Sequence, residues 1–399
     1  MEGNVAAFMR AQEGIRVARV SLDIRLTEGG QIDGKGELVY RTNRKGSRFL
    51  LDPRLQLREV TVDGCPAHST RAGALVQFSD TPGEHLLGAR WTGAIPSDGG
   101  LGLSNSSFDL NLNLLWYPTL LWGSRFDVQL VIRLPRGAKA VLPTVARRGR
   151  QAVSMQSVID VPMVGGRIRG ARHGRGLSVY SLVRRDVSEF RRTAERVVEW
   201  LEGKWGPRPF RPIRFVETWR QQRGAYAREG LIVTPDWSQA PEQEVAQRLV
   251  HEAAHQWWGM DALPGEAWFA EDWLSEGLAT YCEYLWRKER VGGAAAYEFR
   301  EMATKEIRGM RGSLAELSPW SREGWNLSRY GALLVLVELE RRVPNLVKTL
   351  RRYRARHHGS FVTTKSLIRE LRGSVPESWL ESHLVSERSW PGYLESPRS

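Results

Sequence analysis

The chain has 399 residues, with 58 Lys or Arg against 45 Asp or Glu, so its formal net charge is +13 and its pI is near 10.1. That length favours two or three domains over a single core. The sequence has no nucleic-acid motif and no tight run of Lys and Arg, so we expect a diffusely basic surface and no nucleic-acid partner. Two cysteines, Cys65 and Cys282, are too few for a disulfide framework.

Residues 1–185 are predicted to form a β domain. Apolar and polar residues alternate in residues 20–26 and again in residues 126–132, which is typical of strands with one buried face. Asp63-Gly64 indicates a hairpin turn between two such segments. Short strands separated by Gly, Pro and Asp predict an antiparallel β-sandwich or saddle.

The pattern changes after residue 185, where we place a domain boundary. Asp186 is predicted to cap a helix that ends near Gly203. Short strands are predicted at 213–216 and 231–233, and another helix begins near Pro241. From residue 294 onward the periodicity is mostly helical. The sequence therefore predicts a second, mostly helical domain over residues 186–399 and an α+β fold class.

A five-residue motif within the second domain indicates a metal site. His251 and His255 are spaced i, i+4, so their imidazoles project from one side of a helix and can bind one zinc ion. Glu252, between them, is placed to act on a water molecule as a general base. Catalytic zinc usually takes three protein ligands, and Glu276 is the best candidate for the third. Glu271 is a less favoured ligand, and Glu271 or Asp272 is an alternative partner that orients a histidine.

The residues around these ligands resemble a known family. His-Glu-Ala-Ala-His-Gln-Trp-Trp-Gly at 251–259 and Trp-Leu-Ser-Glu-Gly-Leu-Ala-Thr-Tyr at 273–281 are similar to the gluzincin family of membrane alanyl aminopeptidases. The resemblance implies a thermolysin-like catalytic domain with one Zn²⁺ per chain, held by His251, His255 and Glu276, with Glu252 as the general base. The spacing between His255 and Glu276 is two residues longer than is usual in the family.

The family's exopeptidase signature is altered in this chain. The stretch that corresponds to Gly-x-Met-Glu-Asn is Gly-Ala-Tyr-Ala-Arg-Glu-Gly at 224–230, so Gly224 and Ala225 are candidate substrate-binding residues. Ala227 stands where the family places the glutamate that binds the substrate's α-amino group, and Arg228 replaces the asparagine. Glu229 is a candidate replacement for that glutamate if the backbone bulges; the alternative is an exposed charge on an edge strand.

The tyrosine that donates a hydrogen bond to the reaction's oxyanion in the family is also displaced. The chain has Ser-Arg-Tyr-Gly at 328–331, which puts Ser328 at the tyrosine position and Tyr330 two positions later. Two positions on a helix correspond to about 200° of rotation. That rotation would turn the Tyr330 hydroxyl away from the zinc unless the helix starts differently. With a different helix start Tyr330 is the candidate catalytic tyrosine, and the alternative is an ordinary half-buried aromatic residue.

These observations predict a zinc metallopeptidase that acts on peptides, aminopeptidase-like in its motifs. Two alternatives stay open: a zinc endopeptidase of looser specificity, and a non-catalytic peptide-binding protein on a peptidase fold. The chain is too short for the large carboxy-terminal helical domain of long family members. We find no signal peptide and no apolar run of membrane-spanning length in the sequence, so we expect a cytoplasmic protein.

Overall fold

The computed structural model describes residues 14–96, 102–103, 107–120, 125–143, 146–148, 153–220, 224–265, 271–317 and 321–390. The chain divides into two compact units, Met1–Glu189 with Phe210–Ser238 and Phe190–Pro209 with Gln239–Ser399. The chain first passes from one unit to the other after Glu189, four residues beyond the boundary predicted after residue 185. Residues 210–238, which the sequence assigned to the second domain, belong to the first unit, because their strands extend a sheet of that unit.

An eight-stranded mixed sheet dominates the first unit. Its strand Arg16–Leu26 lies antiparallel to Ile32–Thr42 and parallel to Phe126–Arg133. The sequence predicted an antiparallel arrangement, and the parallel pair is a departure from it. The predicted alternation is observed, since Val20, Leu22 and Ile24 are buried in the core beneath this sheet. In spatial order the strands are β13 (Ala146–Arg148), β14 (Val153–Val158), β11 (Phe126–Arg133), β1 (Arg16–Leu26), β2 (Ile32–Thr42), β8 (Gly83–Gly93), β4 (Leu55–Val62) and β5 (Cys65–Pro66).

Three smaller sheets complete the first unit. The hairpin predicted at Asp63-Gly64 joins β4 to β5, and both turn residues have positive φ. The three-stranded sheet contains β3 (Arg48–Leu50), β7 (Leu75–Phe78) and β6 (Ser69–Ala72), and the four-stranded sheet contains β12 (Lys139–Val141), β15 (Met163–Gly166), β10 (Ser107–Leu110) and β9 (Gly102–Leu103). The five-stranded sheet contains β16 (Gly170–Gly174), β17 (Leu177–Ser181), β18 (Ile213–Thr218), β20 (Leu231–Pro235) and β19 (Tyr226–Arg228).

The second unit is mostly helical, as predicted. Its α-helices are α1 (Ser188–Trp205, whose first two residues lie in the first unit), α2 (Glu242–Ala254), α3 (Trp273–Trp286), α4 (Gly293–Glu306), α5 (Arg322–Asn326), α6 (Ala332–Arg342), α7 (Leu346–Arg356), α8 (Thr364–Leu371) and α9 (Glu377–Leu384). Two π-helical segments follow α3 and α5, at Arg287–Val291 and Leu327–Gly331. Short pairs join β21 (Leu263–Pro264) to β23 (Phe361–Val362) and β22 (Arg311–Gly312) to β24 (Arg388–Ser389). Within the described ranges, no helix is both long and apolar enough to cross a membrane.

Local sequence accounts for where α2 begins. Pro241 is its N-cap residue, and the carbonyl of Pro241 accepts hydrogen bonds from the next turn. Glu242 and Glu244 lie in the first turn, where negative charge is favourable to the helix dipole. Ala246 and Val250, four residues apart, form an apolar stripe on the helix, and both are buried. Packing of that stripe fixes the face of the helix that carries the two histidines.

Candidate metal centre

Two neighbouring helices of the second unit bring the three predicted zinc ligands together. His251 lies in the last turn of α2, and His255 is the residue at which that helix ends. Glu276 lies in the first turn of α3, which packs against α2. His251, His255 and Glu276 are a group whose candidate ligand atoms all lie within 4.8 Å of one another. Their side chains are 8%, 8% and 15% exposed, so the group is shielded but open on one side.

The separations between these atoms fit one tetrahedral zinc ion. Nε2 of His251 lies 3.3 Å from Nε2 of His255 and 3.2 Å from Oε2 of Glu276. Nε2 of His255 lies 3.6 Å from Oε1 of Glu276. Zinc bonds of about 2.0–2.2 Å in a tetrahedron place the ligand atoms about 3.3–3.6 Å apart. The geometry therefore matches the metal that the two motifs predict.

The other ring nitrogen of His255 is held by groups next to the motif. Nδ1 of His255 lies 3.0 Å from Ser275 Oγ and 3.2 Å from the Trp258 carbonyl oxygen. Gly259 has a φ of 122°, and a Cβ there would lie 2.4 Å from Ser275 Oγ. A side chain at position 259 would thus displace the hydroxyl that orients His255. The glycine that ends the first motif has a direct role in the ligand geometry.

Glu283 orients the first histidine, and sequence reasoning did not identify it. Oε1 of Glu283 lies 2.8 Å from Nδ1 of His251 in a bent contact. A carboxylate at the second nitrogen of a ligating histidine fixes the ring and raises its basicity. Glu283 follows Glu276 by seven residues on α3, which is two helical turns, so helical spacing was the available signal. Glu271 and Asp272 were predicted for this role, but Glu271 accepts a hydrogen bond from the Thr364 amide instead.

The protein groups alone give the site a strongly perturbed electrostatic pattern. Burial raises the pKa of Glu252 to about 7, and the charges of Glu276 and Glu283 add to this rise. Burial lowers the pKa of His255 to about 4, which favours its neutral, ligating form. The pKa of Glu276 is lowered to about 2, because the two histidines and Arg329 outweigh the opposing effect of burial. Glu252 is half-buried beside this group of charged side chains.

Arg329 places a guanidinium against the same carboxylates, and the sequence motifs did not predict it. Nε of Arg329 lies 3.8 Å from Oε2 of Glu276, and Nη2 lies 3.6 Å from Oε1 of Glu283. Burial lowers its pKa, but these carboxylates and Glu252 raise it above the ordinary value. Arg329 is therefore a permanent cation beside a candidate metal ligand.

The π-helical segment Leu327–Gly331 sets the direction of Arg329, Ser328 and Tyr330. Ser328, at the aligned tyrosine position, is fully buried, and its hydroxyl donates to the Trp325 carbonyl at 3.0 Å. Tyr330 is half-buried, and burial raises the pKa of its hydroxyl. Its charged neighbours include Glu306 of α4. The catalytic role predicted for Tyr330 stays a prediction.

The altered exopeptidase signature lies in the first unit, at strand β19. Gly224 is exposed and Ala225 is half-buried, just before that strand. Ala227 is 5% exposed, and Arg228 pairs with Asp160, Nε to Oδ2, at 2.9 Å in the interior of the unit. Arg228 is therefore buried and paired with a carboxylate.

Glu229 is buried in the first unit. Its exposed fraction is 0%, Oε1 accepts a hydrogen bond from the Ile159 amide at 3.1 Å, and Arg125 Nη1 lies 4.0 Å away. Burial raises the pKa of this carboxyl above its ordinary value. The alternative of an exposed charge on an edge strand is wrong. In this arrangement Glu229 presents no accessible oxygen to a substrate ammonium, which corrects the expectation that it replaces the amine-binding glutamate.

The described residues thus form a β-rich unit and a mostly helical unit, and the helical unit holds the group of His251, His255 and Glu276. Comparison of the sequence with family models identifies residues 224–317 as a peptidase family M1 domain. This match contains both motifs, so the resemblance predicted from them is confirmed for these residues. Aminopeptidase N of Bos taurus is 41% identical over 61 residues, which are 15% of this chain and 6% of that protein.

Solved structures share the fold over nearly the whole chain. A two-domain M1 zinc metallopeptidase bound to L-arginine has a TM-score of 0.69 and 17% identity, covering 95% of this chain and 96% of that one. An M1 zinc metallopeptidase from Deinococcus radiodurans has a TM-score of 0.65 and 17% identity, covering 93% of each chain. Yeast LTA4 hydrolase has a TM-score of 0.71 and 12% identity, covering 97% of this chain and 69% of that one. At these identities the similarity establishes the α+β fold.

Proposed function

We propose that this chain is a zinc-dependent peptidase that hydrolyses peptide bonds in an aminopeptidase-like manner. The observation that carries the proposal is the convergence of two histidine nitrogens and the Glu276 carboxylate, at nearest separations of 3.2–3.6 Å, with Glu252 in the same turn of helix. Bound zinc supplies a Lewis acid that polarises a carbonyl and lowers the pKa of water. The M1 domain and the bovine aminopeptidase N match support the same reaction class.

The roles of the chain's own residues follow from their positions. We assign His251, His255 and Glu276 to metal binding and Glu252 to proton transfer, from the attacking water to the leaving amine. Glu283 and Ser275 hold the histidine rings in orientation. Gly224 and Ala225 stay candidates for substrate binding. Cytoplasmic location stays a prediction.

An endopeptidase is the second candidate function, and a specific observation favours it. Ala227 has no charge to bind a substrate ammonium, and Glu229 is fully buried. A peptidase without an amine anchor has no reason to require a free amino terminus. The non-catalytic alternative has no support from the ligand geometry, which is complete.

One experiment separates these functions. Zinc-loaded protein is incubated with a peptide library in two forms, with free and with acetylated amino termini, and the products are identified by mass spectrometry. Removal of single residues from free termini alone is the expected result. Cleavage of both forms would establish an endopeptidase, and cleavage of neither would favour the binding protein.

The variant Glu252→Ala tests the mechanism in the same assay. It should keep one zinc ion per chain and lose hydrolysis, because the proton acceptor is gone while the three ligands stay. Glu244→Ala, on the exposed face of the same helix, is the matched control and should retain activity. Undiminished hydrolysis by Glu252→Ala would contradict the assigned role.

A further inference from the structure

The family motifs assign no role to Arg329, although its side chain lies at the metal centre. Its guanidinium lies within 4 Å of one oxygen of Glu276 and one of Glu283. We propose that Arg329 is the catalytic residue that stabilises the negative charge on the scissile carbonyl oxygen, in the role predicted for a tyrosine. This inference rests on the proposed peptidase function. The geometry of the guanidinium, its free donor and the charge balance of the site carry it.

The first observation concerns the hydrogen-bonding state of Arg329. Its Nε is buried and has no hydrogen-bond partner among the described residues. The distances to the two carboxylates, 3.8 and 3.6 Å, are those of ion pairs and exceed hydrogen-bond length. A buried donor without an acceptor is rare in folded proteins. A donor left free beside the metal ligands is suited to an acceptor that arrives with the substrate.

The second observation concerns what holds the guanidinium in place. Its central carbon lies 5.6 Å from the ring centre of Trp325 and 5.6 Å from that of Tyr330. Both contacts are in the range of cation–π attraction. The side chain is 23% exposed, and its Nε and Nη2 atoms face the carboxylates of Glu276 and Glu283. Preorganised donors of this kind stabilise developing charge without reorganisation during the reaction.

The third observation is that the residue at the aligned tyrosine position is unavailable. The Ser328 hydroxyl donates to the Trp325 carbonyl inside the protein. Leu327–Gly331 is π-helical, so its side chains point in other directions than those of the regular α-helix assumed when the tyrosine motif was aligned. π-helical turns often occur at functional sites. In this register the side chain that meets Glu276 is that of Arg329.

Charge balance points to the same role. Three carboxylates, Glu252, Glu276 and Glu283, raise the pKa of Arg329, and together they contribute −3. A zinc ion and Arg329 contribute +2 and +1, so the sum is 0. Loss of Arg329 would leave −1 at the point where the reaction creates further negative charge. An arginine at this position therefore offsets the charge of the neighbouring carboxylates.

The step in which Arg329 acts is the addition of water to the peptide carbonyl. The water oxygen forms a bond to the carbonyl carbon, the C=O π-bond breaks, and its electron pair moves to the carbonyl oxygen. The water proton passes to Glu252. Arg329 donates a hydrogen bond to the carbonyl oxygen while it carries that charge. Collapse re-forms the C=O bond, breaks the C–N bond and returns the proton to the leaving amine.

The test compares Arg329→Met with the wild type in three measurements. The first is kcat and KM for a peptide that the wild type cleaves. The second is the Kd of a phosphinic pseudodipeptide with alanine side chains, whose tetrahedral anionic group resembles the transition state. The third is zinc affinity by competition with a chromogenic chelator. We expect kcat to fall by about 100-fold to 1,000-fold with KM nearly unchanged, phosphinate binding to weaken in parallel, and zinc affinity to stay within a few-fold.

Control variants make each outcome decisive. Arg341→Met removes an exposed arginine of α6 that pairs with Glu338 and should change none of the three measurements. Arg329→Lys keeps the charge and should retain more activity than the Met variant. If Arg329→Met folds poorly, the Lys variant takes its place in the three measurements. Tyr330→Phe, measured in parallel, compares Arg329 with the tyrosine predicted for the same role. A large loss of kcat in Tyr330→Phe with little in Arg329→Met would overturn the proposal.

Failure of this proposal can be told apart from failure of the proposed function. If the zinc-loaded wild type cleaves no peptide, the proposed function fails, and phosphinate binding alone decides the role of Arg329. Weaker phosphinate binding by Arg329→Met than by the wild type would then support the proposal. Equal phosphinate binding by the two proteins would overturn it, and so would a wild type that does not bind the phosphinate. A loss of zinc affinity that matches the loss of kcat would instead make Arg329 a positioning residue for Glu276 and overturn the proposal.

Discussion

The two histidines of the centre differ in what holds their second ring nitrogen. His255 is held by neutral groups, the Ser275 hydroxyl and the Trp258 carbonyl. His251 faces the carboxylate of Glu283. Burial lowers the pKa of His255 to about 4, whereas the carboxylates around His251 overcome burial and raise its pKa to about 9. A more basic imidazole is a stronger ligand, so we expect metal affinity to depend on Glu283.

Glu283→Gln tests that dependence. The amide keeps the size of the side chain but removes the charge that supports His251, so zinc affinity should fall by about 10-fold to 100-fold. Competition with a chromogenic chelator at pH 7.5 measures the change. Glu338→Gln, on the surface of α6 beside Arg342, is the control and should bind zinc as the wild type does. Equal zinc affinity in the two variants would show that Glu283 does not support the ligand.

The residues of the centre differ in how far sequence predicts them. His251 and His255 are neighbours through helical spacing alone, so their proximity follows from the i, i+4 rule. Glu276 was predicted through its flanking residues, and α3 brings it to the histidines. Arg329 was not predicted, because its direction depends on a π-helical segment. A widened turn of this kind leaves no periodic signal in the apolar pattern, since it changes the register by a single residue.

Helix α3 reaches the centre through an unusually close contact with the Leu327–Gly331 segment and α6. A Cβ at Gly277 would lie 2.4 Å from the Cβ of Ala332 and 2.9 Å from the Ser328 carbonyl oxygen. These distances are well below van der Waals contact. The glycine after Glu276 therefore lets α3 approach the turn that carries Arg329.

Gly277→Ala is expected to destabilise the second unit. Alanine normally stabilises a helix interior relative to glycine by up to about 1 kcal/mol, but overpacking here should reverse the sign and cost about 1–3 kcal/mol. Urea unfolding followed by tryptophan fluorescence measures the difference. Gly293→Ala is the matched control, because α4 begins there and a Cβ meets nothing within 4 Å. Similar midpoints for both variants would contradict the packing argument.

At the scale of elements, local signals were reliable and long-range pairings were not. Thr363 and Ser366 form a capping box at the start of α8, within the region whose periodicity predicted helices. The start of α2 at Pro241 is confirmed as well. The parallel pairing of β1 with β11 was not predicted, because alternation reports which face of a strand is buried and nothing about its neighbour. The same limit explains why the sequence placed residues 210–238 in the second domain, whereas their strands extend a sheet of the first unit.

Over the whole molecule, basic residues exceed acidic ones by 58 to 45, a net charge of +13. Charge summed over a protein surface raises the local concentration of oppositely charged ligands and their association rate. We therefore expect the proposed peptidase to capture acidic peptides faster than neutral ones through its net charge alone.

The last prediction concerns ionic strength. At low salt, kcat/KM for a peptide with several Asp and Glu residues should exceed that of a neutral peptide with the same residues at the cleaved bond. Salt should remove the difference, because the Debye length falls from about 30 Å at 0.01 M to about 8 Å at 0.15 M. The neutral peptide is the control and should change little over that range. A preference for acidic peptides that persists at 0.5 M salt would point to a specific recognition site, and no preference at 0.01 M would show that the net charge does not influence substrate capture.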